Sequence, residues 1–124
     1  MNVFLVDDDE DVRTLMGRML KMAGVWQVKT FSGGEDVLAS LRSGDLPDLI
    51  ILDQNMPGMN GTQTFMRIRS LHPELPILIS SGQPDIDEWD CFRLPKMGVI
   101  SKPFNVEEIQ AKLADFGKRH ITGF

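Results

Sequence analysis

Apolar residues along the chain gather in short runs that alternate with segments of helical period. Val3 to Val6 reads as a strand; Val12, Leu15, Met16, Met19, Leu20 and Ala23 then recur at i, i+3, i+4 and i+7, as one buried helix face does, up to Gly24. Gln27 to Phe31 predicts a second strand, and Ser32 is placed to cap a helix carrying Val37, Leu38 and Leu41 as far as Gly44. After the turn in "SGDLPD", Leu49 to Leu52 shows no polar alternation, the mark of a parallel strand covered on both faces. A third helix carries Phe65, Ile68 and Leu71 and ends before Pro73; Ile77 to Ile79 and Val99 to Ser101 predict two further strands. Val106, Ile109, Leu113 and Phe116 give a last helix its inner stripe before Gly117. Between Gln83 and Gly98 the pattern is weakest. Pro84 and Pro95 bracket that stretch, and Ile86, Trp89 and Phe92 fall three apart, so a short or distorted fourth helix is expected there. Repeated βα units predict an α/β fold, a parallel sheet with right-handed crossovers and helices on both faces.

With 124 residues the chain is expected to form one domain over residues 1–124, its core near 2–118, followed by a short tail. A content of 42% apolar and 25% charged residues is ordinary for a globular domain. No apolar run is long enough to cross a bilayer, and Met1 leads into a strand without a basic start or a cleavage site, so a cytoplasmic protein is expected. The lone Cys91 can form no internal disulfide, in keeping with a reducing compartment. A net charge of −5 disfavours direct nucleic-acid binding, which draws its affinity from counterions released around Lys and Arg.

The first strand runs straight into Asp7, Asp8, Asp9, Glu10 and Asp11. In an open parallel sheet, ligands sit beyond the carboxyl ends of the strands, and Asp53 closes the third strand in "DLIILDQNMPG". If the first and third strands are neighbours, Asp7, Asp8 and Asp53 share one crevice. Two such charges about 5 Å apart repel by roughly 3 kcal/mol at an effective dielectric near 20. A hard cation with oxygen ligands would offset that repulsion, and Mg2+ suits a site of few carboxylates, several waters and an incoming phosphate, with Mn2+ as an alternative. The simpler reading is that the acids neutralise the N-terminus of the first helix. That reading is preferred for Asp9, Glu10 and Asp11, and metal binding for Asp7 and Asp8. An EF-hand is excluded, because Val12 stands where its glycine belongs and Arg18 where its bidentate glutamate belongs.

Ser81 in "LPILISSGQ" and Lys102 in "VISKPF" bring a hydroxyl and an ammonium to the same rim. Cation, carboxylate, hydroxyl and lysine form a set able to hold a phosphoryl group, with Asp53 as a carboxylate nucleophile. His72 and His120 lie away from the strand ends and read as solvated surface residues. Pro57 and Gly58 predict a tight turn after Asp53, with Asn60 or Thr62 able to cap the helix that follows.

"VDDDEDVR", "LDQNMPGMNG", "ILISSG" and "SKPF" come in this order at the ends of the first, third, fourth and fifth strands. In this the chain resembles a response regulator receiver domain of two-component signalling, over essentially its whole length. The resemblance implies a five-stranded parallel sheet in order 2-1-3-4-5. It makes Asp53 the phosphoacceptor, with Asp8 binding Mg2+ directly, Asp7 mostly through water and Asn55 through its backbone carbonyl. Ser81 becomes the conformational-switch hydroxyl and Lys102 the family's invariant lysine, oriented by a cis bond to Pro103. Asn55 and Gln83 become the residues that tune phosphate lifetime. The implied partners are a histidine kinase or phosphotransfer protein upstream and a protein downstream, docking on the face of the fourth helix, fifth strand and fifth helix, with no membrane contact. Such a domain catalyses only its own phosphorylation and dephosphorylation.

In two respects the chain departs from the family, one of them the slightly short fourth-helix segment bracketed by Pro84 and Pro95. The family often carries Tyr or Phe three residues before the lysine, where this chain has Val99, which puts the usual aromatic readout in doubt. Trp89 and Phe92 belong either to a docking surface or to the core. Two other functions fit part of the pattern. A haloacid-dehalogenase-like phosphatase would need a second Asp where Asn55 stands, and a phosphate-independent docking receiver would not need mutually repelling acids.

Overall fold

The computed structural model describes residues 1–82, 97–101 and 104–120, without the side chains of Met97, Val99, Ser101 and residues 115–120. The elements follow in the order β1 (Asn2–Val6), α1 (Glu10–Met22), β2 (Gln27–Phe31), α2 (Gly34–Arg42), β3 (Leu49–Asp53), α3 (Gly61–Leu71), β4 (Ile77–Ser81), β5 (Met97–Ser101) and α4 (Val106–His120). The strands form one sheet in the order β2-β1-β3-β4-β5, every neighbouring pair parallel. The expected fourth helix between Gln83 and Gly98, with Trp89, Cys91 and Phe92, falls outside the described residues apart from the start of β5.

Alternation along the strands divides the core between the two faces of the sheet. Phe4, Val6, Ile50, Leu52, Ile77 and Ile79 pack with Val37, Leu38 and Leu41 of α2 and Phe65 and Ile68 of α3. Val3, Leu5, Leu49, Ile51, Leu78 and Ile100 pack with Met16 and Leu20 of α1 and Ile109 and Leu113 of α4. β3 and β4 are buried at every position, which is why their sequences lack polar alternation. β2, at the sheet edge, is exposed at three of its five positions, the polar residues Gln27, Lys29 and Thr30.

Helix ends follow local chemistry. Asp9 caps α1, its Oδ1 accepting from the N–H groups of Asp11 (2.9 Å) and Val12 (3.2 Å), while Glu10 and Asp11 occupy the first turn. These three acids therefore serve the helix terminus, as expected. At the other end Gly24 takes a φ of 102°, a left-handed conformation that stops the helix. Ser32 does not cap α2. Gly33 occupies that position, and the Ser32 hydroxyl donates to Asp36 Oδ2 at 2.9 Å, a charge-assisted bond. α4 continues through Gly117 to His120, past the expected stop, because one interior glycine costs a helix only about 1 kcal/mol.

α3 begins with a reciprocal cap: the Gln63 N–H donates to Asn60 Oδ1 (2.9 Å) and the Asn60 N–H to Gln63 Oε1 (3.0 Å). Of the two residues expected to cap here, Asn60 does so. Substituting Asn60→Ala is expected to lower stability by about 1 kcal/mol, measurable as a shift in the urea midpoint with an unchanged m-value.

Candidate functional site

β1 and β3 are neighbours, so their C-terminal ends bring Asp7, Asp8 and Asp53 together. One carboxylate oxygen from each of the three lies within 4.8 Å of the others. Asp7 and Asp53 are buried, with 1% and 4% of their surface exposed, and Asp8 is open to solvent. At that separation each pair repels by roughly 3 kcal/mol at an effective dielectric near 20.

Local hydrogen bonds fix the cluster. The Asp7 N–H donates to Phe31 O at 3.1 Å, extending the pairing of β1 with β2 by one residue beyond Val6. Asp7 Oδ1 accepts from the Asp9 N–H at 3.0 Å, and Arg13 Nη1 donates to the Asp7 carbonyl at 2.7 Å, tying the strand end to α1. Beyond β3, the Gln54 N–H donates to Ser80 O (2.9 Å) and the Gly61 N–H to Gln54 O (3.0 Å), so the start of α3 is held to the acid strand. Asp53 Oδ1 accepts a long bond of 3.4 Å from the N–H of Asn55, whose side chain is exposed. Gly58 adopts a φ of 76°, a left-handed value that glycine takes without steric cost, in the bend that follows Pro57.

Ser81 is the last residue of β4 and is buried, on the strand next to β3. Val99 is the register partner of Ile79 in β5. Gln83, Lys102 and Pro103, with the cis bond expected before Pro103, lie outside the described residues. His72 ends α3, at the opposite edge of the sheet from the acids, and His120 ends α4. Asp7, Asp8 and Asp53 are thus brought together at one edge, with Ser81 on the adjoining strand.

Three residues near the acids escaped the sequence reading. Arg13 anchors the carbonyl of Asp7, a contact that helical spacing alone does not single out. Gly61 approaches the backbone of Asp53 and Gln54 so closely that a Cβ there would stand 2.6 Å from Asp53 O. Ser80 is the register partner of Asp53 and is 1% exposed; its only signal is a polar residue at a strand position that should be apolar.

A hard, oxygen-rich, mostly buried donor set fits a small divalent cation of the Mg2+ type, since carboxylates this close need positive charge between them. Beyond metal chemistry, a carboxylate at the end of a parallel strand is placed for a ligand approaching the sheet edge.

The family model for the response regulator receiver domain matches residues 3–114. The chain belongs to the response regulator receiver domain family. Over 109 residues it is 41% identical to the C4-dicarboxylate transport transcriptional regulatory protein DctD of Rhizobium meliloti, an alignment spanning 87% of this chain and 23% of that protein. It is 36% identical over 110 residues to the DNA-binding transcriptional regulator NtrC of Salmonella typhimurium, spanning 88% of this chain and again 23% of the relative. The chain therefore spans about a quarter of the length of these regulators. Among solved structures, response regulator protein TrrA of Thermotoga maritima in complex with Mg2+ and BeF superimposes with a TM-score of 0.81 at 27% identity, covering 94% of this chain and 99% of that one. As a receiver domain of the response regulator family, the protein has the flavodoxin-like α/β fold. Among its described residues no helix is long and apolar enough to cross a membrane.

Proposed function

We propose that this receiver domain, a single unit over residues 1–124, takes a phosphoryl group from a phosphohistidine of a histidine kinase or phosphotransfer protein onto Asp53, and that the modification switches a partner-binding surface. The observation that carries this reading is the meeting of Asp7, Asp8 and Asp53 oxygens within 4.8 Å at the end of the sheet. An Asp53 carboxylate oxygen attacks phosphorus and forms the O–P bond as the P–N bond breaks. The imidazole, protonated at its other nitrogen, leaves with the bonding pair as neutral imidazole. Asp8 would hold the cation directly, with Asp7, Asp53 and the Asn55 carbonyl as its further ligands. When bound there, Mg2+, or Mn2+ in its place, would supply charge neutralisation for the acids and for the phosphoryl group. Lys102 neutralises a second oxygen and Ser81 donates to the third, so the residues stabilise charge by position and need no acid–base group.

Asn55 and Gln83 set the lifetime of the acyl phosphate by orienting water, since neither is a strong base. Lys102, aimed by Pro103, and Ser81 couple the phosphoryl group to β5. With Val99 in place of an aromatic, the switch reaches the face formed by the expected fourth helix, β5 and α4 without a ring rotating at that position. A downstream protein docks there, in the cytoplasm, with no direct contact between this domain and nucleic acid or membrane.

Incubation with acetyl phosphate tests the proposal. With Mg2+ present, intact mass is expected to rise by one phosphoryl group, and chelation of the metal should suppress labelling by at least tenfold. Continuous release of phosphate from acetyl phosphate without accumulation of the adduct would instead indicate a phosphatase, and no reaction at all a docking domain.

A further inference from the structure

Among the described residues, the buried side-chain oxygens without a hydrogen-bond partner are Asn2 Oδ1 and Ser80 Oγ. Asn2 lies at the start of β1, remote from the acids. Ser80 lies in the row of residues that contains Asp53: it is the register partner of Asp53 on one side and of Ile100 on the other. Register partners on parallel strands project to the same face and stand about 4.8 Å apart. Ile51 and Leu78, two residues before Asp53 and Ser80, both pack into the core under α1 and α4, so both side chains emerge on that face. Ser81 is one residue nearer the rim; the Ser80 hydroxyl is a step deeper, beside the acid itself.

A hydroxyl with 1% of its residue exposed and no partner is a cost to the resting fold that alanine at the same position would avoid. Burial denies it water, and its neighbours Ile100 and Leu78 offer no polar atom on their side chains. The group that changes character beside it is the Asp53 carboxyl, on the assumption, taken from the proposed function, that this residue accepts the phosphoryl group. A bond from one Asp53 oxygen to phosphorus fixes the torsion of the carboxyl, and a rotation that carries the phosphoryl group toward the rim residues would turn the remaining acyl oxygen toward a donor on the next strand.

We infer that Ser80 is a positioning residue, unpartnered at rest, whose hydroxyl donates a hydrogen bond to the Asp53 side chain in the phosphorylated state. It holds the acyl group in a single orientation from below, while Ser81 meets the phosphoryl oxygens from the rim. The orphan hydroxyl thereby transfers its resting cost into a preference for the modified state.

The test compares Ser80→Ala with the unmodified chain in two measurements: thermal unfolding without metal or phosphoryl mimic, and titration with fluoroberyllate in the presence of Mg2+. The variant is expected to unfold at the same or a higher temperature at rest, and to bind fluoroberyllate about fivefold more weakly, the factor carried by one ordinary hydrogen bond. A lower unfolding temperature at rest would mean that the hydroxyl already has a partner, and an unchanged fluoroberyllate affinity would mean that it never gains one; either result overturns the inference. Failure of the unmodified chain to bind fluoroberyllate would instead remove the phosphoacceptor reading, and the role of Ser80 with it.

Discussion

Asp53→Asn is expected to lose labelling by acetyl phosphate by more than about 100-fold, because a carboxamide oxygen lacks the charge that makes the carboxylate a nucleophile. The shape of the side chain is retained, so the loss cannot be assigned to a collapsed site. A second, opposite effect should accompany it. Asp53 is buried beside Asp7 and shares a 4.8 Å cluster with Asp7 and Asp8, and neutralising it removes two repulsive pairs. Each bare pair is worth roughly 3 kcal/mol at an effective dielectric near 20, but Asp53 also has other interactions that the substitution weakens. A net stabilisation of about 1 kcal/mol in the presence of a chelator is therefore expected, read from denaturant unfolding. With Mg2+ added, the order should narrow or reverse, since the unmodified chain gains the binding energy of a cation that the variant holds less well. Undiminished labelling of the variant would place the acceptor on another residue. A variant less stable than the parent under chelation would show that the carboxylates are held by compensating contacts and not left in mutual repulsion.

The sequence made the acid cluster legible in part because charge and strand pattern coincide. Leu49 to Leu52 could be read as a doubly covered strand from its lack of alternation, and that alone puts Asp53 at a carboxyl end. The division of the acidic run was legible too: Asp9 has the spacing of a cap, and the structure uses it so, while Asp7 turns into the sheet edge. Other features depend on which strands lie side by side and in what register, which no local pattern contains. Ser80 follows a run of three apolar residues and looks like the first residue of a turn; only its pairing with Asp53 turns it into a neighbour of the acceptor. Ser32 has the chemistry of a cap, yet Gly33 takes that position while the Ser32 hydroxyl donates to Asp36. Gly117 reads as a stop signal, yet α4 continues, since propensity is a weak prior beside the packing of Ile109 and Leu113.

Gly61→Ala should reduce both stability and phosphoryl acceptance, because its effect reaches the acid through the backbone. The first residue of α3 sits against the end of β3: its N–H donates to Gln54 O at 3.0 Å, and a Cβ would lie 2.6 Å from Asp53 O, 2.6 Å from Gln54 Oε1 and 2.7 Å from Gln54 Cα. Gln54 Oε1 can swing away from its Thr62 partner, but the backbone atoms cannot. They belong to a strand end already tied to β4 by the bond from Gln54 N–H to Ser80 O, so either α3 retreats and loses its contacts through Phe65, or Asp53 tilts. Overpacking of this kind costs about 2–3 kcal/mol. Displacing a reacting group by about 1 Å can slow its reaction on the order of 100-fold, so initial labelling rates should fall well beyond what the unfolded fraction explains. Gly17→Ala provides the control, since a Cβ on that α1 residue meets nothing within 4 Å. There the same methyl should stabilise by about 0.5–1 kcal/mol through helix propensity and leave labelling unchanged. Equal behaviour of the two variants would mean that α3 is free to shift, and that the position of Asp53 does not depend on the close approach of Gly61.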